Sequence, residues 1–193
     1  VRENNMKNLF ENYNFSPDFS GQRDRLILEL LYGTGMRLSE LIGIKPESIS
    51  FEESKILVFG KRSKERWIPL HQNLVHQLKE YLNAIEKTLP ELPVTTLIVT
   101  DKGKPAYPVF IERVVKKYLG LVTSEKKKSP HVLRHTFASH LLNAGAEISS
   151  IKELLGHTSL AATQVYAHNT VAKLKQAYGL AHPRAKRQTD ETK

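Results

Sequence analysis

Residues Ser129–Leu142, SPHVLRHTFASHLL, decide how this chain is read. Ser129 suits an N-cap and Pro130 the first helical turn, so a helix is expected to begin here. At about 100° per residue, Phe137, Ala138, Leu141 and Leu142 fall on one apolar arc. His131, Arg134 and His135 fall on the same arc nearer the N-terminus, where the pattern calls for apolar residues. A helix N-terminus also carries free N–H groups that favour anions. Any one of these side chains taken alone is most simply part of a solvated first turn. Together, behind the basic run Lys126–Lys128, they point to a site that handles phosphate.

Composition narrows the partner. The chain has 193 residues, 40% of them hydrophobic, which is enough for one sizeable core. It has no apolar run of bilayer-spanning length and no secretory h-region, so a soluble, cytoplasmic protein without a membrane partner is expected. With no cysteine, a disulfide framework and a thiolate metal site are both excluded. The formal net charge of +9 favours a polyanion. No basic amphipathic helix of the membrane-surface kind stands out, which leaves nucleic acid as the favoured partner.

Working outward from the opening helix, Val1–Ser20 is rich in Asn and charge and reads as an arm or linker. Leu26, Ile27, Leu30 and Leu31 recur at helical spacing over Gly21–Tyr32. Gly33 and Gly35 stop that helix, Arg37 stands at the bend, and Ser39 and Glu40 begin a second short helix with Leu41 and Ile42. Glu40 is read as orienting a neighbour. Ser48–Phe51, Lys55–Phe59 and Arg66–Pro69 read as a small antiparallel meander of three strands. Its second turn carries Lys61, Arg62, Lys64 and Arg66, a cationic tip that is either solvated or suited to a DNA groove. Trp67 and Tyr32 are read as core residues.

Leu70–Leu89 is helical, with Leu74, Leu78, Tyr81, Leu82 and Ile85 along one side, and Pro90 and Pro93 end it. Leu97–Val99 reads as a short strand or extended piece. Val109–Leu119 is a basic amphipathic helix bearing Arg113, Lys116 and Lys117. After the opening helix, Ile148–Leu155 is a further helix stopped by Gly156, and His157 follows at once. Leu160–Ala167, carrying Tyr166, and Val171–Tyr178 complete the helical segments. The fold class is therefore mainly α with one small three-stranded antiparallel sheet, an α+β arrangement. Residues 183–193 form a basic, polar tail expected to be mobile.

Arg37, Lys61, His131, Arg134, His157 and Tyr166 form the candidate site. Without clustered carboxylates this set does not suit two-metal phosphoryl chemistry. Fixed cationic side chains would take the metal's place, because an arginine fork grips two phosphoryl oxygens at once. A phenol with a pKa near about 10 needs a base and a cationic field to become a nucleophile.

In order, TGMRLSEL, GKRSKER, HVLRHTFASHLL, LGH and the following Tyr166 resemble the signature blocks of the tyrosine site-specific recombinases. The likeness is to Xer-type enzymes and to phage and transposon integrases, and it runs from about Gln22 to about Arg184. It implies the catalytic-domain fold of that family over residues 21–182. It also implies the roles of the candidates. Tyr166 would attack a phosphodiester and form a 3′-phosphotyrosyl bond, while Arg37 and Arg134 clamp the scissile phosphate. Lys61 would be the general acid for the 5′-oxygen, with Lys64 a weaker rival because Arg62 stands where family hairpins often have glycine. His131 would take the tyrosine proton and His157 would hydrogen-bond a phosphate oxygen. His135 and His140 are read as supporting or structural.

The resemblance further implies recombination of double-stranded DNA without metal, ATP or cofactor. Arg62, Lys64, Arg66, Arg113, Lys116 and Lys117 are the expected DNA contacts. Residues 171–180 would reach a neighbouring protomer in a tetramer on DNA, and a monomer is expected without DNA. The N-terminal core-binding domain of such enzymes finds no room here, so the chain is expected to be a catalytic half that starts in the interdomain linker. Two other readings stand beside recombination: relaxation of DNA in the manner of a type IB topoisomerase, and a non-catalytic DNA-binding regulator of integration.

Overall fold

The computed structural model describes residues 1–60, 65–91 and 93–156. Lys61, Arg62, Lys64, His157, Tyr166, the expected helices at 160–167 and 171–178, and the 183–193 tail lie outside the described residues.

Helix α2 (Phe19–Thr34) is the centre of the fold. Asp18 caps it by accepting a 2.7 Å hydrogen bond from the Gly21 amide. Leu26, Ile27, Leu28, Leu30 and Leu31 are all buried. A helix buried on nearly every side must be covered on every side, and α4 (Gln72–Thr88), α5 (Pro108–Val122) and α6 (Pro130–Asn143) do the covering. Gly33 continues the helix, so the stop falls at Gly35 alone, whose φ is 63°. In the left-handed region a residue with a Cβ is disfavoured, and glycine is not.

Helix α3 (Leu38–Gly43) leads into the sheet, whose strands β1 (Ile49–Ser50), β2 (Lys55–Phe59) and β3 (Glu65–Pro69) pair antiparallel in the order β1-β2-β3. The register sets Ile56 opposite Ile68 and Val58 opposite Arg66. Ile56, Val58 and Ile68 face the core. Trp67 falls on the other face and is 41% exposed, so it is not the core residue expected of it. Strand alternation is the reason, since neighbours of inward residues point outward. Lys55 Nζ covers its ring, 4.3 Å from the centroid. Leu97–Val99 forms no strand of its own; Val99 makes a single bridge to Pro105.

The N-terminal segment is more ordered than its sequence implies. Helix α1 (Glu3–Lys7) runs into a wider turn at Asn8–Asn12. Met6, Leu9 and Phe10 are buried, and the Phe10 ring stacks on Tyr32 at 5.7 Å. Three apolar residues at helical spacing inside an Asn-rich stretch are enough to dock it.

Helix α6 also corrects an expectation. Its buried face runs through Leu133, Arg134, Phe137, His140 and Leu141, whereas His131, His135 and Leu142 are exposed. The buried arc is rotated away from the one traced through His131 and Leu142, because α2 takes Phe137 and His140 together. Ser129 occupies the N-cap position, but its side chain makes no capping hydrogen bond. Helix α7 (Ile148–Leu154) is the last described element. Among the described residues no helix is long and apolar enough to cross a membrane.

Candidate active site

The end of α2 delivers Arg37 to the start of α3. Arg37 is the N-cap residue, and its amide donates to Glu40 Oε2 at 2.7 Å. Its Nη1 donates to Glu40 Oε1 at 2.9 Å. The same carboxylate receives Arg66 from β3 as a two-pronged pair, Nη1 to Oε1 at 2.7 Å and Nη2 to Oε2 at 2.9 Å. Glu40 is 3% exposed and accepts four hydrogen bonds, two on each oxygen. Burial by itself would raise its pKa. The Arg66 fork, the Arg37 amide and the Arg37 side chain outweigh that and bring it down to about 2. The orienting role expected of Glu40 has this geometry behind it.

Arg134 reaches the same region from α6. Its Nη1 donates to the Gly35 carbonyl at 2.5 Å and its Nη2 to the Leu155 carbonyl at 2.7 Å. Burial, followed by the positive charges of Arg37 and Arg66, lowers its pKa to about 10, with Glu40 acting in the opposite sense. The guanidinium therefore stays charged at neutral pH. Gly35 permits the approach: a Cβ there would lie 2.4 Å from Phe137 Cδ1 and 2.7 Å from Leu155 Cδ2. Arg66 Nε donates to the neighbouring carbonyl, Leu154, at 2.9 Å. Two arginines thus hold consecutive carbonyls at the end of α7, where a helix leaves its last carbonyls without intrahelical partners.

Arg37 and Arg134 reach the same bend between α2 and α3, Arg134 through the Gly35 carbonyl, and the Arg37 charge acts on Arg134. His131 lies on the first turn of α6 and is exposed. Lys61, His157 and Tyr166, together with Arg62 and Lys64, fall outside the described residues. Arg113, Lys116 and Lys117 line the exposed side of α5, and Lys117 Nζ stands 3.7 Å from Asp24 Oδ2. Arg66, expected among the DNA contacts, has a side chain that is only 15% exposed and turned inward onto Glu40. The signal for that was present in the alternation of β3, which puts Arg66 on the face of Ile68. His140 is structural, as expected: it is buried, and Tyr32 Oη lies 2.9 Å from its Nδ1. Among the described residues no group of three or more His, Asp or Glu stands together to hold a metal ion.

Residues 1–173 match the phage integrase family. The tyrosine recombinase XerC of Chlorobaculum parvum is 40% identical over 173 residues, covering 86% of this chain and 51% of that protein. The crystal structure of XerA recombinase superposes with a TM-score of 0.69 at 31% identity, over 95% of this chain and 63% of that one. XerH site-specific recombinase bound to its difH substrate, a pre-cleavage complex, gives a TM-score of 0.72 at 25% identity, over 92% and 52%. The chain spans about half the length of the curated relatives it matches. A mostly helical fold with one three-stranded sheet, an arginine network at the ends of α2 and α7, and these likenesses all agree: the chain belongs to the phage integrase family of tyrosine recombinases.

Proposed function

We propose that this chain carries the strand-cleaving part of a site-specific DNA recombinase. The observation that supports the reading best is that Arg134 from α6 holds the Gly35 carbonyl, two residues before Arg37 at the start of α3, close enough for the Arg37 charge to act on it. Such a pair can stabilise the charge that grows on phosphoryl oxygens in the transition state, where losing one comparable donor costs about 3–4 kcal/mol of barrier.

In this reading the Tyr166 phenol gives its proton to His131, and its oxygen attacks the scissile phosphorus. The bond to the 5′-oxygen breaks, and Lys61 supplies the proton that this oxygen takes up. His157 donates to a phosphoryl oxygen. The product is a 3′-phosphotyrosyl link and a free 5′-hydroxyl. Because the link keeps one phosphodiester bond for another, a 5′-hydroxyl from a partner strand can reverse the step without ATP, and the arginine and lysine charges serve without a metal. Duplex DNA is the substrate, and the 171–180 segment joins protomers on it.

The test is capture of the covalent intermediate. The protein is mixed with a pool of nicked, suicide-type duplexes of randomised sequence, and SDS-resistant protein–DNA adducts are isolated and sequenced. A recombinase yields an adduct on a restricted set of sequences, and Tyr166→Phe yields none while still binding duplex. An adduct that survives in Tyr166→Phe removes the nucleophile assignment. Phosphate-dependent DNA binding with no adduct from any duplex removes the enzyme reading in favour of a DNA-binding regulator. Adducts without sequence preference favour simple relaxation.

A further inference from the structure

Arg66 is the second residue of β3, the strand that follows the 61–64 segment in sequence, and it faces the core beside Ile68. Each of its three guanidinium nitrogens has a partner inside the protein: Nε on the Leu154 carbonyl, Nη1 on Glu40 Oε1 and Nη2 on Glu40 Oε2. The turn after α7 lies against the same group. At Gly156 the φ is 68°, and a Cβ there would stand 3.1 Å from Arg66 Nη1 and 3.3 Å from its Cζ. One planar group, borne on the strand next to Lys61, therefore touches two other segments: the Arg37–Glu40 start of α3 and the backbone that leads into His157.

We propose that Arg66 is a positioning residue for strand cleavage: its fork fixes Glu40, and so Arg37, and its Nε fixes the turn before His157. This rests on the recombinase reading given above. The chemistry favours arginine for a geometric reason. A carboxylate held at both oxygens by a fork cannot rotate about its own axis, so the single contact from Arg37 Nη1 to Oε1 acquires a fixed direction. A lysine would supply one nitrogen for three acceptors and would leave the carboxylate free to turn. Arg37, with a side chain 31% exposed, keeps an open side towards solvent while its Glu40 side is held.

The rival is a phosphate contact by Arg66, and the two separate cleanly on a duplex recovered from the adduct pool. Single-turnover cleavage and equilibrium binding as a function of salt are measured for Arg66→Lys and Arg66→Ala. Positioning predicts affinity within about twofold of the parent and an unchanged salt slope, because no phosphate contact is lost. It also predicts that cleavage by the bound complex falls about tenfold or more in both variants. Guanidinium chloride, against matched sodium chloride, recovers part of the rate of Arg66→Ala. Weaker binding with a salt slope reduced by about 1 and unchanged cleavage once bound would overturn the proposal in favour of a DNA contact. Cleavage at the parent rate in both variants would overturn it outright.

A DNA-free measurement guards against a variant that folds poorly and against failure of the recombinase reading. The carbon-13 carboxyl signal of Glu40 is titrated in the parent and in Arg66→Lys. The titration should move up towards the ordinary carboxylate range in the variant, and no movement overturns the tie between Arg66 and Glu40. If the parent protein forms no adduct on any duplex, the recombinase reading fails, and this titration alone still decides whether Arg66 holds Glu40.

Discussion

Replacing Glu40 with glutamine should destabilise the protein by about 3 kcal/mol at neutral pH, and two independent routes give that size. The first is geometric. The carboxylate accepts two hydrogen bonds on each oxygen, from Arg66 Nη1 and Arg37 Nη1 on Oε1 and from Arg66 Nη2 and the Arg37 amide on Oε2. A glutamine keeps one accepting oxygen and turns the other position into a donor facing donors, so half of these bonds go. Removing one partner of a buried ion pair typically costs about 3–5 kcal/mol. The second route is linkage. Burial opposes ionisation, yet the arginine contacts win and lower the pKa from 4.5 to about 2. A drop of about 2.5 units corresponds to roughly 3 kcal/mol of preference for the folded state.

The sign of the pH dependence follows from the direction of that shift. A group whose folded pKa is depressed contributes fully above its unfolded value, near 4.5, and loses the contribution as pH falls towards about 2. The parent and Glu40→Gln should therefore differ by a constant amount between neutral pH and about pH 5, and the gap should close on further acidification. Urea unfolding at a series of pH values measures it directly. Thermal melts should show a drop of roughly 6–12 °C at neutral pH for a domain of this size. A gap below about 1 kcal/mol at pH 7, or one that persists undiminished at about pH 2, would refute the account of Glu40 as a buried, arginine-held carboxylate.

Gly35→Ala puts a Cβ 2.4 Å from Phe137 Cδ1 at a φ of 63°, so left-handed strain of about 1–2 kcal/mol adds to overpacking of about 1–3 kcal/mol; a melting temperature equal to the parent's contradicts it. Phe137→Ala opens a cavity where the side chain is 2% exposed and should cost about 3–5 kcal/mol in denaturant unfolding, whereas a loss under about 1 kcal/mol would mean that α6 does not pack through this ring. Burial holds the His140 imidazole below its usual pKa of 6.5, so it favours the folded state above that value and costs stability as pH falls below it. Imidazole NMR should find His140 titrating below 6.5, and a midpoint at or above that value removes the argument.

The fold was legible wherever periodicity and punctuation agreed. The α2, α4 and α5 helices follow from their apolar spacing, and the three strands from alternation between turn residues. The first twelve residues were not legible, because Met6, Leu9 and Phe10 are diluted among Asn and charged residues and only their docking against Tyr32 makes the segment a helix. The inward arc of α6 holds for Arg134, Phe137 and Leu141 and fails for His131, His135 and Leu142, which are exposed. A helical wheel gives angles and not the position of the neighbour. At the site, Arg37 and Arg134 both stand at the bend between α2 and α3, as residue types and block order suggest they should. The part played by Arg66 was hidden: a cation beside Lys61, Arg62 and Lys64 invites a surface reading, and only the strand's alternation argues against it. Lys61, His157 and Tyr166 lie outside the described residues, and their roles belong to the proposal.

The seven residues of α7 are too few to stay helical by themselves, since an isolated helix below about 12 residues is marginal in water. What fastens their last carbonyls is a pair of charged forks from α6 and β3. Breathing of this short helix and release of the two arginines are consequently one event, a cooperative opening unit with its own free energy below that of global unfolding. Amide exchange along α7 would then report the integrity of these two arginine contacts, and any ligand that draws Arg134 away from the Leu155 carbonyl would loosen the helix on the far side of it.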